Sequence, residues 1–392
     1  MKANTFSKIQ DFLDEVVENH KSAGINCLII QDGIERAYFE SGYMDVENKT
    51  PLQRDSIFRL YSMSKTITAA ATMILVERGV IDLFENVSNY IPSFANPMVS
   101  ESDGSLRKAS REVRIGDLLS MTSGLTYPGD ANEAYISANK ILNEVIEKID
   151  TQNALSTFEV ASMIGASPLS FDPGSHYEYG LSADVLGAVI EVATGMKYSD
   201  FLTENIFAPL EMNDIGFYVP ENKQNRLAKL YTCKPNDFEL YTFDNLGVSN
   251  KLTKAPAFES GGAGLCSTID DFVPFSQMLL NGGTYNGVKI MSPETVKYLT
   301  TYRLTGNLQR EVVEHMPHLA GYSYGNLLRV MVSEHEAVTL GCNGEYGWDG
   351  WTGTYFANDP ANKLTILSMR QKVDCGTDDV TRRLRNLIYS SL

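Results

Sequence analysis

Apolar positions recur at helical spacing over residues ~6–21, through the middle of the chain, and again over residues ~377–389. Between these stretches, residues 26–31 and 35–40 are β-type runs split by Asp32-Gly33, which predicts a hairpin. A long apolar helix is expected from about residue 62 to 78, stopped by Gly79. Helices are also expected over 115–121, over 153–164, and over 182–194, the last ended by Gly195. Residues ~220–258 are polar and irregular and read as a loop-rich arm. After Gly261-Gly262, Thr268 and Asp271 have capping-box spacing at the start of a further helix. Residues 324–332, 353–357 and 364–370 read as strands, the last two joined by a turn at 358–362.

Strands thus lie at both ends of the chain and helices fill the middle. The economical assembly is an α+β fold: one antiparallel sheet built from both termini, flanked by helices, with a mostly helical insertion. The expected division is a sheet domain of residues 1–68 and 255–392 around a helical domain of residues 69–254, with the arm at about 220–258.

Ser62-Met63-Ser64-Lys65 opens the long apolar helix. Residues three apart share a helical face, so the Lys65 amine can reach the Ser62 hydroxyl. A serine is a weak nucleophile until a neighbouring base activates it. Further on, Pro173-Gly174 delivers a short extended segment and places Tyr179 just before a helix, where a phenol can enter a cleft. Near the C-terminus, Gly347-Trp348-Asp349-Gly350-Trp351-Thr352-Gly353 holds both tryptophans of the chain. Glycines there permit close backbone approach, and such an edge can offer an N–H to an oxyanion. Tyr127, after Ser123-Gly124-Leu125-Thr126, is a candidate pocket wall.

With Ser120-Met121-Thr122-Ser123-Gly124-Leu125 and Ser260-Gly261-Gly262-Ala263-Gly264-Leu265 between them, these stretches resemble the serine β-lactamase-like superfamily of β-lactamases and penicillin-binding proteins. Among its members the chain is most similar to the family VIII carboxylesterases. The resemblance implies that Ser62 forms an acyl-enzyme, that Lys65 and Tyr179 share the proton work, and that backbone N–H groups of Ser62 and Trp351 form the oxyanion hole. It places Tyr127, Leu181, Trp348, Asp349 and Gly350 against the substrate. A tyrosine beside the Lys65 ammonium is expected to have a lowered pKa. Two motifs depart from the β-lactamase pattern. Tyr179-Gly180-Leu181 stands for Tyr-x-Asn, and Trp348 stands where a Lys or His would grip a substrate carboxylate. Asp349 adds a carboxylate near the pocket.

The implied activity is hydrolysis of a small-molecule ester, or a small amide, with no cofactor or metal. The same site would suit an acyltransferase, a D-amino-acid peptidase or amidase, or a weak β-lactamase. A catalytically silent scaffold is the alternative from another class, and the retained Ser62, Lys65 and Tyr179 argue against it. The formal charge of −16 excludes nucleic acid and anionic membrane surfaces as natural partners. No apolar stretch reaches the ~20 residues of a membrane span, and the first residues lack the pattern of a secretory leader. Five scattered cysteines (Cys27, Cys233, Cys266, Cys342, Cys375) without a C-x-x-C read as reduced thiols in a cytoplasmic protein.

Two motifs compete with Ser62. Gly321-Tyr322-Ser323-Tyr324-Gly325 matches a nucleophile elbow, but a β-like run follows where that motif needs a helix. His315-Met316-Pro317-His318 lacks metal-ligand spacing and reads as an exposed loop. His176, three residues before Tyr179, reads as structural. Ser62→Ala is expected to abolish fluorophosphonate labelling and turnover of p-nitrophenyl esters, and Ser323→Ala to retain both.

Overall fold

The computed structural model describes residues 7–392. The expected helix start at residue 6 and the stretch read as lacking a leader lie outside the described residues. An eight-stranded antiparallel sheet organises the chain. Its strands are β1 (Gly24–Gln31), β2 (Ile34–Asp45), β3 (Thr50–Pro51), β4 (Tyr322–Tyr324), β5 (Arg329–Met331), β6 (Tyr346–Asp349), β7 (Tyr355–Asp359) and β8 (Leu364–Arg370), in the spatial order β4-β5-β6-β7-β8-β1-β2-β3. The N-terminal hairpin turns at Asp32 and Gly33, both at positive φ (55° and 71°), as a tight two-residue hairpin turn requires. β1 is therefore central: Ile29 lies opposite Ile366 on one side and Ala37 on the other.

Alternation along β1 sends its side chains into two cores. Ile25, Cys27 and Ile29 pack with Ile9, Leu13, Leu384 and Ile388 of the terminal helices α1 (Ser7–Glu18) and α5 (Asp379–Tyr389). Leu28 and Ile30 face the larger core shared with α2 (Ser64–Glu77), α3 (Ser182–Thr194) and α4 (Ile269–Leu280). With both faces covered, β1 reads as a nearly unbroken apolar run. Each such side chain contributes roughly 1.5–3 kcal/mol on burial. α2 is buried from Ser64 to Leu75, which explains its weak amphipathic pattern. The helices at 64–77, 115–120, 157–165 and 182–194 lie between the two sets of strands in sequence.

Several elements differ from the sequence pattern. Residues 324–332 are not one strand. β4 and β5 form a tight hairpin through Leu327, whose φ is +59°. The capping box at Thr268 is half made: its hydroxyl accepts from Asp271 N at 3.1 Å, but Asp271 turns away to accept from Asn213 N and Asp214 N at 2.9 and 2.7 Å. The irregular arm contains a small hairpin, Tyr231–Lys234 with Asp237–Leu240.

A buried ion pair ties α5 to the sheet. Glu345, just before β6, accepts from both terminal nitrogens of Arg385, each at 2.6 Å, with almost no exposure of either side chain. Burial opposes ionisation of Glu345, but the Arg385 charge holds its carboxyl below the usual range. Arg385→Met strands that carboxylate, so unfolding stability in urea is expected to fall by about 3–5 kcal/mol.

Candidate active site

The chain enters the site through Phe58–Arg59, a short strand paired with Cys266–Ser267. Tyr61 follows at φ +43°, in the left-handed region that costs a bulky residue about 1–3 kcal/mol. This turn starts the 3₁₀ segment Tyr61–Met63, which runs into α2. The surroundings hold it in place. Leu60 N donates to Leu265 O at 2.8 Å, Thr352 Oγ1 to Arg59 O at 3.0 Å and Thr354 Oγ1 to Leu60 O at 2.9 Å. Arg59 is buried and donates to the carbonyls of Ala228 and Asn250 and to Gln371 Oε1.

Ser62 keeps 9% of its surface exposed and Lys65 keeps none. Lys65 Nζ lies 3.0 Å from Ser62 Oγ, 2.8 Å from Tyr127 OH and 2.7 Å from Gly262 O. These three partners match the three donor directions of an ammonium. Burial pushes the Lys65 pKa down to about 7, against the opposing pull of the Asp184 and Asp349 charges. The amine is therefore poised to hold or release a proton at neutral pH. Asp184 on α3 sits behind it, accepting from Ser260 Oγ at 2.5 Å and Gly262 N at 3.1 Å. A Cβ at position 262 would meet Asp184 Oδ2 at 2.6 Å, so glycine lets the carboxylate sit close against this turn.

Tyr179 reaches the site from the segment before α3. Its hydroxyl accepts from Trp348 Nε1 at 2.9 Å, and its ring centre is 4.8 Å from Lys65 Nζ. The expected depression of its pKa is not found. Burial pushes the phenol far up, and hydrogen bonds from Ser62 and Trp348 only partly oppose this. Tyr127, the candidate pocket wall, has a second part in the site. It lines the cleft, and its hydroxyl is the phenol bonded directly to Lys65. The rings of Tyr127 and Tyr179 meet edge to face, with centres 5.7 Å apart.

These groups open on a cleft of about 580 Å³ that also reaches Trp348, Asp349, Gly350 and Trp351. Trp348 packs on Tyr179 and Tyr324. Trp351 packs on Tyr61 and Tyr241. Leu181 does not line the cleft. It is buried at the N-cap of α3 and contributes to the core.

Other wall residues carry no sequence signal, because distant loops bring them in. They include Asn245 and Leu246 from the arm, His318, and the run from Asp374 to Thr377. His318 stands in a 3₁₀ turn on the cleft wall rather than an exposed loop. His176 pairs with Glu311 at 2.8 Å instead. Ser323 is buried within β4 and donates to Leu304 O at 2.7 Å, and β5 follows it where an elbow needs a helix. Among the described residues, no group of His, Cys, Asp and Glu is arranged to hold a metal ion. No helix among them is long and apolar enough to cross a membrane. All five cysteines are free thiols.

Fold and sequence together define a serine hydrolase of the β-lactamase-like superfamily. The chain belongs to the Beta-lactamase family, whose profile matches residues 9–389. It is 31% identical over 339 residues to Protein Rv1367c of Mycobacterium tuberculosis, covering 85% of this chain and 81% of that protein. It is 26% identical over 403 residues to Esterase EstB of Burkholderia gladioli, covering 99% and 96%. The solved structure of EstCE1, described as a hydrolase with promiscuous acyltransferase activity, shares the fold with a TM-score of 0.83 at 23% identity over 98% of both chains.

The Lys65 amine is mostly protonated below pH 7 and cannot then accept the Ser62 proton. Fluorophosphonate labelling of Ser62 is therefore expected to fall about tenfold per pH unit below about 7 and to level off above it. A labelling rate independent of pH between 5 and 8 would contradict this poise.

Proposed function

We propose that this protein is an esterase that works through an acyl-enzyme on Ser62. One observation carries the reading: a fully buried amine that titrates near pH 7 lies 3.0 Å from a serine hydroxyl facing an open cleft. Neutral Lys65 takes the proton as Ser62 Oγ attacks the ester carbonyl and the Oγ–C bond forms. The oxyanion is held by the backbone N–H groups of Ser62 and Trp351. Collapse breaks the C–O bond to the alcohol. Tyr179 stays a neutral phenol, protonates the departing alkoxide, and recovers its proton from Lys65. Tyr127 holds the amine in line throughout. Water then attacks the acyl-enzyme, with the same groups acting in reverse.

The name of the relative EstB supports an ester substrate. Trp348 gives up the position where a cation would grip a carboxylate and instead donates to Tyr179, which weighs against a true β-lactamase or D-alanyl peptidase. The free thiols fit a cytoplasmic setting.

Exposure to p-nitrophenyl acetate is expected to add one acetyl group to Ser62, read by intact mass and peptide mapping. Lys65→Ala and Tyr179→Phe should each lower kcat/KM by ~10²–10⁴-fold. Their losses should fall far short of additive, because the two groups move one proton. Strictly multiplicative losses, or an adduct at another residue, would refute the mechanism.

A further inference from the structure

The cleft in front of Ser62 has a one-sided charge. Asp349 ends β6 and Asp374 lies in the loop after β8, and both line the cleft. Cys375 N donates to Trp351 O at 2.9 Å and joins the two loops into a single wall. The side-chain donors that hold the two carboxylates are neutral. Thr377 Oγ1 donates to Asp349 Oδ2, and Trp351 Nε1 donates to Asp374 Oδ1 at 2.7 Å. Among the described residues neither carboxylate is in an ion pair, no arginine lines the cleft, and the lysine at its floor, Lys65, is buried and engaged with Ser62, Tyr127 and the Gly262 carbonyl.

The charged groups behind the wall do not cancel this. Arg329 is buried within the sheet, bonded to Phe356 O at 3.0 Å and set over the Tyr355 ring. Arg382 on α5 is occupied with Thr377 O at 2.9 Å. His318 faces the cleft, but burial pushes its pKa down, which leaves a neutral imidazole at pH 7. The half-exposed Trp351 indole adds an aromatic surface beside the two carboxylates, the setting in which an ammonium group is held best. The whole chain, at −16, draws cations toward such a concave acidic wall.

We propose that the preferred substrates of this site are esters bearing a cationic group, a quaternary or primary ammonium seated against Asp349 and Asp374 beside Trp351. This rests on the esterase reading above and narrows its substrate class. By the same charge, carboxylate-bearing esters are disfavoured.

The test uses an isosteric pair with the whole 392-residue chain: acetylcholine, and 3,3-dimethylbutyl acetate, in which a carbon replaces the charged nitrogen. The anionic ester 3-acetoxypropanoate is the third arm. The expected order of kcat/KM is cationic, neutral, anionic, with at least about a tenfold preference for acetylcholine over its carbon isostere at low salt. That ratio should shrink in 0.5 M NaCl, as a charge effect at an open wall must. It should also shrink toward unity in Asp349→Asn and in Asp374→Asn, each read as the ratio of the two esters in the same variant. Asp374 is exposed, so its variant tests the idea even where Asp349→Asn folds poorly. A wild-type ratio near one, or a ratio untouched by both substitutions, overturns the proposal while Ser62-dependent turnover of the neutral ester upholds the esterase. Absence of Ser62-dependent turnover of all three esters overturns both.

Discussion

The site depends on one backbone contact, the seating of the Leu60 carbonyl against the α-carbon of Gly350. A Cβ at position 350 would lie 2.2 Å from that oxygen, so only glycine lets the two segments meet. Thr352 and Thr354 then bind the Arg59 and Leu60 carbonyls through their hydroxyls, and Gly350 N closes the turn on Thr354 O at 2.8 Å. This contact brings Ser62 beside Trp348 and Trp351, almost three hundred residues further along the chain. It also locates the strained Tyr61 turn, whose ring rests on Trp351 with centres 4.9 Å apart. The cost of that strain is met by packing around it, as is usual where a side chain must be held at an angle the chain resists.

The second organising feature is the buried floor beneath Ser62. Lys65 lies at the start of a helix buried on all sides, and desolvation is the largest influence on its charge. A carboxylate directly against the amine would restore an ordinary ammonium. Asp184 is kept one step back, satisfied by Ser260 and the Gly262 amide, while the Gly262 carbonyl faces the lysine. The lysine therefore feels the carboxylate's field without a salt bridge. The phenols of Tyr127 and Tyr179, kept neutral by burial, complete the floor around an amine that is about half protonated at pH 7. The exposed wall of Asp349 and Asp374 carries the charge. On the proposed reading, reactivity and selectivity are set by different parts of the same cleft.

Much of this was legible from residue order. The Asp32-Gly33 hairpin, the helix at Ser182–Thr194 with its Gly195 stop, and β8 follow from local rules of turn chemistry and periodicity. The three segments holding Ser62, Tyr179 and Trp348 are brought to one cleft. Less legible were features that belong to no single segment. The strand pattern over 324–332 hides a hairpin, because Leu327 takes a left-handed turn that no glycine signals. Asp271 leaves its own helix cap for the amides of Asn213 and Asp214, a choice available only once those loops are adjacent.

By itself the sequence determined the α+β pattern, the Ser62–Lys65 spacing of one helical turn, and the glycines that allow close approach, since all of these rest on interactions between near neighbours. The tertiary structure alone decided that Tyr127 holds the amine, that Tyr179 is a high-pKa phenol bonded to Trp348, that Leu181 serves the core, and that Asp349 and Asp374 share a wall. The physical reason is that desolvation and electrostatic field are set by everything packed around a group. For Lys65, Tyr179 and Asp349 most of those neighbours lie dozens to hundreds of residues away along the chain.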